Sequence, residues 1–243
     1  MDPKTFNSPN LPAHFKWRDI KAAFLDYLYP PLHPCPGCGK EDTLISFDRI
    51  GLCENCHEMF PWILPDSLPT DVIVPSLYES SARALVFHLK YREGQYLAPV
   101  MAKAMADRFC EDASFTTAEW IIASVPLHRK REKERGYNQS HLLAKHVAAL
   151  LNIPYEPQAL FRNRPTAPMY RLNRLERVLN TADSMTLNTK AIPNLKDRHV
   201  LLVDDIYTTG ATANACIQAL LQGGAANVSV IAFALADLED QSG

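Results

Sequence analysis

No stretch of the chain approaches the roughly 18 to 20 uninterrupted apolar residues that a membrane-spanning helix needs, and Met1-Asp2-Pro3-Lys4 lacks the basic-then-apolar order of a secretory signal. Both absences predict a cytoplasmic protein. An excess of either charge is missing too. The 25 Lys+Arg and 27 Asp+Glu leave a formal net charge of −2, which excludes a uniformly basic coat for nucleic acid. With 47% hydrophobic and 21% charged residues, the 243-residue chain is not of the disordered type and can bury a large core. Cysteine is scarce, six in all, yet four fall within residues 35 to 56. In a reducing compartment such clustering points to a metal site rather than to disulfides.

The balanced total conceals an asymmetry. Residues 121 to 198 hold 14 Lys+Arg against 6 Asp+Glu, a balance of +8 that leaves −10 for the remainder. A polyanion would be met by this middle stretch.

Patterning divides the chain into three parts. Residues 1–32 are Pro-rich, with one short amphipathic helix over 17–29 that stops at Pro30-Pro31. Residues 33–60 form a cysteine module. Residues 61–243 comprise a linker with prolines at 61, 65, 69 and 75, then a larger domain. Within that domain, apolar spacing of three and four predicts helices over 80–91, 96–109, 136–151 and 212–222, with Asn138, Gln139 and Ser140 as cap candidates. Continuous apolar runs predict buried strands over 120–125, 200–203 and 228–235. Alternating strands and helices predict an α/β fold built on a parallel, doubly wound sheet.

The cysteines are arranged as Cys35-Pro-Gly-Cys38, fourteen residues, then Cys53-Glu-Asn-Cys56. Each Cys-x-x-Cys can turn two thiolates to one side, and two such knuckles complete a tetrahedral sulfur shell that suits structural zinc. A redox pair would explain one Cys-x-x-Cys but not two. His33 and His57 flank the set and could replace a ligand or lie outside it. Cys110 and Cys216 fall in helical stretches and read as packing residues.

At the other end, Val200-Leu-Leu-Val-Asp204-Asp205-Ile-Tyr-Thr208-Thr209-Gly210-Ala211-Thr212 delivers two carboxylates from a buried strand and then opens a helix through a Thr/Gly turn. Helix-end N–H groups and hydroxyls over Thr208 to Thr212 form a cradle for a monophosphate. Asp204 and Asp205 can accept hydrogen bonds from vicinal ribose hydroxyls or hold a hydrated Mg²⁺. An Asx-capped helix after a strand is the plainer reading of the same residues.

Asp204-Asp-Ile-Tyr-Thr-Thr-Gly-Ala-Thr212 resembles the phosphoribosyl-pyrophosphate (PRPP) motif of type I phosphoribosyltransferases. Ser124-Val-Pro-Leu-His128 and Arg135-Gly-Tyr-Asn-Gln139 resemble a second signature found in the ComF competence proteins and their GntX-like relatives, and the four-cysteine module matches that branch. The likeness extends through Arg162, Arg177 and Asn180 and covers roughly residues 33 to 236. One departure is Met169, where the family leads us to expect glutamine. The resemblance implies a type I phosphoribosyltransferase-like parallel sheet flanked by helices, preceded by a zinc-ribbon-like module. It also implies PRPP with Mg²⁺ as ligand, single-stranded DNA as partner, a role in natural transformation, and company with other competence proteins such as a helicase.

The basic residues then divide. Arg129, Lys130, Arg131 and Arg135 follow the strand over 120–125, where the family places pyrophosphate; interleaved Glu132 and Glu134 would equally suit a solvated face. Lys90 matches a family lysine of that site, or is a helix-end lysine reaching for solvent. Arg162, Arg164, Arg171, Arg174 and Arg177 can line a groove for a nucleic-acid backbone, with Tyr137 and Tyr170 as stacking platforms. Two functions remain open. One is a module that binds PRPP and single-stranded DNA. The other is a Mg²⁺-dependent phosphoribosyltransferase in which Asp204 and Asp205 hold the ribose while a nitrogen acceptor attacks C1′.

Overall fold

Parallel strands covered on both faces must be apolar at nearly every position, and three segments of this chain meet that demand. A computed structural model describes residues 35, 37–40, 52–63, 71–91, 94–111, 119–162 and 185–236. In chain order it contains helix α1 (Glu54–Glu58), strands β1 (Val72–Ile73) and β2 (Ser76–Leu77), helices α2 (Ser80–Tyr91) and α3 (Ala98–Cys110), and strand β3 (Trp120–Ser124). Helices α4 (Arg129–Arg135) and α5 (Gln139–Leu151), strands β4 (Leu160–Arg162) and β5 (Met185–Leu187), and helix α6 (Ile192–Leu195) follow. Strand β6 (His199–Tyr207), helix α7 (Ala211–Gln222) and strand β7 (Asn227–Leu235) complete it. No helix among the described residues is long and apolar enough to cross a membrane.

Strand β6 lies at the centre of a parallel sheet, between β3 and β7. Strands β1 and β2 both pair with the far edge of β7, Val72 opposite Val230 and Ser76 opposite Ala234, with Pro75 between them. A proline lacks the N–H that a continuous ladder needs, so the edge strand comes in two pieces. Strands β4 and β5 form a separate antiparallel pair. The result is an α/β fold with helices on both sheet faces.

Side chains alternate faithfully across the sheet. Ile122, Leu201, Val203, Ile231 and Phe233 enter one core with Leu85, Leu89, Met101, Met105, Leu143 and Val147 of α2, α3 and α5. Ile121, Ala123, Val200, Leu202, Val228 and Val230 enter the other with Leu195, Cys216 and Leu220. Cys35, Leu52, Cys53, Cys56 and Phe60 join the first core, and Phe60 meets Phe233 edge-on with ring centroids 6.2 Å apart. Backbone bonds from Ile63 N–H to the Pro75 carbonyl (3.0 Å) and from Leu77 N–H to the Pro61 carbonyl (2.9 Å) tie this segment to the sheet edge.

The expected strands and helices are present, with shifted ends. The helix expected over 136–151 starts at Gln139, because Gly136 takes a positive φ of 82° to end α4 and Asn138 caps α5 by accepting from Ser140 N–H at 3.0 Å. The helix expected over 96–109 starts at Ala98, after a 3₁₀ turn over Gly94–Leu97. The basic run after β3 forms helix α4, for which no apolar periodicity gives a sign; His128 caps it by accepting from Lys130 N–H. The helix expected over 17–29 lies outside the described residues.

Phe233 is fully buried at the centre of the first core. Phe233→Ala should cost about 3 to 5 kcal/mol in urea unfolding. A loss below about 1 kcal/mol would contradict this packing.

Candidate functional site

The pairing of β3 with β6 ends at Ser124 opposite Val203, one residue before the acid pair, while β6 continues beside β7 to Tyr207. Asp204 and Asp205 therefore emerge where the sheet opens, at the C-terminal end of its central strand. Asp204 Oδ1 accepts from Ser140 Oγ and from the Asp205 N–H, both at 2.9 Å. Asp205 Oδ2 meets Lys90 Nζ at 2.7 Å and accepts from Gln139 Nε2 at 3.4 Å, while its Oδ1 accepts from the Ile206 N–H. The ion pair is shielded, with side-chain exposures of 18% for Lys90 and 7% for Asp205.

Burial disfavours the ammonium of Lys90, but the charge and hydrogen bond of Asp205, with the Asp204 charge behind it, together outweigh burial and hold the Lys90 pKa above its ordinary value. For Asp204 the balance is reversed. Burial raises its pKa, the Asp205 charge raises it further, and the bonds from Ser140 and the Asp205 N–H only partly offset this. Asp205 thus has a cation of its own, whereas the charge of Asp204 is poorly compensated.

Immediately downstream, Gly210 adopts φ 73°, and a Cβ there would lie 2.5 Å from the Tyr207 hydroxyl oxygen. The turn therefore requires glycine. Helix α7 starts after Gly210, which has no side chain to cap it; the Thr209 hydroxyl accepts from the Ala211 N–H at 3.4 Å, and the positive end of the helix dipole lies at the Thr208–Thr212 turn.

A cavity of about 210 Å³ is lined by Asp204, Asp205, Thr208, Thr212, Lys90, Arg131, Arg135 and Arg162. Of the expected anion-binding residues, Lys90, Arg131 and Arg135 line this cavity. Arg129 lines the neighbouring cavity, and exposed Lys130 lines neither. Arg135 is held from two sides: it donates to Gln139 Oε1 at 3.0 Å, and its guanidinium lies over the Tyr91 ring at 5.0 Å. Arg162, expected on a nucleic-acid groove, borders both cavities; burial and the nearby Arg131 charge lower its pKa. Tyr137 donates its hydroxyl to the Leu89 carbonyl, tying the end of the basic segment to α2. Arg164, Arg171, Arg174, Arg177, Met169, Tyr170 and Asn180 lie outside the described residues.

Sequence reasoning treated Gln139 and Ser140 as cap candidates, yet both reach the acid pair. Asn138 performs the capping, and a single turn of α5 then turns its neighbours toward β6.

The second candidate site is the cysteine cluster. The sulfurs of Cys35, Cys38, Cys53 and Cys56 all lie within 4.8 Å of one another, and Cys38 and Cys53 are 3.7 Å apart. Tetrahedral Zn–S bonds of about 2.3 Å place sulfurs roughly 3.8 Å apart, so the donor set fits zinc. Cys53 N–H donates to Cys35 Sγ at 3.4 Å, a bond that supports a thiolate. His57 packs against Trp62 with centroids 6.1 Å apart and is not part of the cluster. His33 lies outside the described residues. Cys216 is buried as expected, whereas Cys110 is exposed.

The sequence pattern of the phosphoribosyl transferase domain family matches residues 139–241. The chain is similar to the DNA utilization protein YhgH of Salmonella typhimurium, 31% identical over 199 residues that span 81% of each protein. It is also similar to the competence protein ComFC of Bacillus subtilis, 26% identical over 84% of this chain and 77% of that one. Among solved structures, the glutamine phosphoribosylpyrophosphate amidotransferase of B. subtilis aligns with a TM-score of 0.38 at 16% identity, over 60% of this chain and 30% of that one.

The raised pKa of Asp204 has a signed consequence. Between the ordinary value of 3.8 and the raised value, the folded protein retains a proton that the unfolded chain has lost, so stability falls as pH rises through that window. Asp204→Asn removes the loss. The variant should match the ligand-free wild type near the ordinary carboxylate pKa and then gain on it with rising pH, by about 2 to 4 °C in melting temperature per kcal/mol. A pH-independent offset, or a less stable variant above neutrality, would contradict the assignment.

Proposed function

The chain belongs to the ComF family of competence-type proteins with a phosphoribosyltransferase domain, and from this premise we propose that it binds PRPP with Mg²⁺ and single-stranded DNA in the handling of incoming DNA. The observation that carries the first half is convergence: two carboxylates, a glycine-dependent turn at a helix start and several cations line one cavity. Asp204 and Asp205 would hold the ribose hydroxyls or the hydrated metal, and Thr208, Thr209, Gly210, Ala211 and Thr212 the 5′-phosphate. Lys90 and Arg131 would face the pyrophosphate, with Arg135 behind them. Mg²⁺ would supply the positive charge that compensates Asp204. For DNA, the +8 balance of residues 121 to 198 and the arginines at 162, 164, 171, 174 and 177 offer phosphate contacts.

The enzymatic reading is favoured by Arg131 and Arg162 bordering the same cavity as the acid pair. In that reading the C1′–O bond breaks, pyrophosphate departs with the electron pair, and a nitrogen acceptor bonds C1′ and loses its proton. Fixed cations would stabilise the departing charge. Pyrophosphate release with one nucleobase in a screen, against binding without release, separates the two readings.

The cysteine cluster would hold one zinc, structural because all four positions are filled by protein. Metal analysis of the purified chain should give one zinc per molecule, and Cys53→Ser should lose it together with much of its stability. A folded, zinc-free wild type would contradict this.

Calorimetric titration tests the PRPP site. Wild type should bind PRPP in the presence of Mg²⁺, and Asp205→Asn should weaken binding at least about tenfold, since an amide loses the charge-assisted bonds. Gly210→Val should weaken it further, by forcing a β-branched residue into positive φ. Unchanged affinity in both variants would make the motif structural only.

A further inference from the structure

A second cavity, of about 320 Å³, adjoins the acid-pair cavity and shares Pro126, Leu127, Asn138 and Arg162 with it. Its volume lies at the lower end of small-ligand sites. Three kinds of recognition chemistry meet in its lining. Phe161 of β4 is 39% exposed and lines the wall of this cavity, offering a flat apolar ring there. Arg129 and Arg162 supply guanidinium charge. Gln158, Asn138, His141 and Ser124 supply directional hydrogen-bonding groups.

The last two are joined in a chain. The Tyr155 hydroxyl lies 2.9 Å from Ser124 Oγ and 2.7 Å from His141 Nδ1. Burial pushes the Tyr155 pKa up to about 12, so the group remains a hydroxyl at neutral pH. With Nδ1 engaged by Tyr155, Nε2 is the His141 nitrogen left for a ligand. Glu132 also borders the cavity and opposes a polyanion such as pyrophosphate. A ligand with one diffuse negative charge and a flat ring suits this lining better.

We propose that this cavity binds one nucleotide unit of single-stranded DNA, its base over Phe161 and its phosphate toward Arg129 and Arg162, directly beside the acid pair. The assignment rests on the DNA-binding reading above and names where on the chain it is realised. It also moves the stacking platform: Tyr137 is tethered through its hydroxyl to Leu89, whereas Phe161 is available. Because a phenyl ring offers only its face, the stacking contact itself is open to any base. Arg162 borders both cavities, so a strand seated here would have its backbone next to the phosphoribosyl site.

The test uses the full chain and a fluorescein-labelled oligothymidylate of about eight nucleotides at low salt. Phe161→Ala should weaken binding about tenfold or more, and Phe161→Trp should restore or tighten it. Arg129→Ala should weaken it and flatten its dependence on salt. PRPP affinity should be unchanged in Phe161→Ala, and a 5-iodouracil oligonucleotide should cross-link at Phe161. If wild type binds the oligonucleotide and Phe161→Ala binds it equally well, the site is overturned while the DNA-binding reading stands. Equal loss of PRPP and DNA affinity in Phe161→Ala would also overturn a separate subsite. If wild type does not bind at all, both the reading and the site fall.

Discussion

The ion pair between Lys90 and Asp205 is the contact on which the rest of this molecule is arranged. It joins the last turn of α2 to the C-terminal end of the central strand, at 2.7 Å and shielded from water. A charge in such surroundings is tolerable only when paired and hydrogen-bonded, and removing one partner of such a pair typically costs about 3 to 5 kcal/mol. The surrounding residues meet that condition. Gln139 reaches Asp205, Arg135 holds Gln139, and Tyr91 supports Arg135 from the same helix that carries Lys90. Among the described residues Asp204 has hydrogen bonds but no ion pair, and the Lys90 charge offsets its burial only in part.

Helix α2 also links the cysteine cluster to the acid pair. Cys35, Cys53 and Cys56 share a core with Leu85 and Leu89 of α2, and Ser81 at the start of that helix donates to the Cys56 carbonyl at 3.5 Å. Helix α2 then delivers Lys90. A metal on the cysteines would therefore stabilise the base of the helix whose last turn forms the ion pair, and its contribution to the acid-pair site would be made through packing.

Much of this was legible in the sequence, for identifiable reasons. The run Val200 to Thr212 is local: strand, acids, turn and helix start follow one another, and each carries its own signature. The two Cys-x-x-Cys pairs are legible because the spacing is itself the chemistry. Lys90 stayed open between a solvent-seeking lysine and a site residue because its partner lies 115 positions away, and no local pattern encodes that meeting. Gln139 and Ser140 were hidden behind Asn138, since polar residues at a helix start suggest capping first. Helix α4 was hidden because a mixed run of arginine, lysine and glutamate has no apolar periodicity, and Phe161 because a three-residue strand is too short to show alternation.

In the function proposed above, the acid pair and the Gly210 turn together form a metal-assisted phosphoribosyl site. The most direct measurement is an anomalous difference map from crystals grown with PRPP and Mn²⁺ in place of Mg²⁺. The account predicts manganese beside Asp204 and Asp205, and the 5′-phosphate on the backbone N–H groups of the Thr208–Thr212 turn. An ordered PRPP seated elsewhere, or manganese bound away from both carboxylates while the turn stays empty, would contradict it.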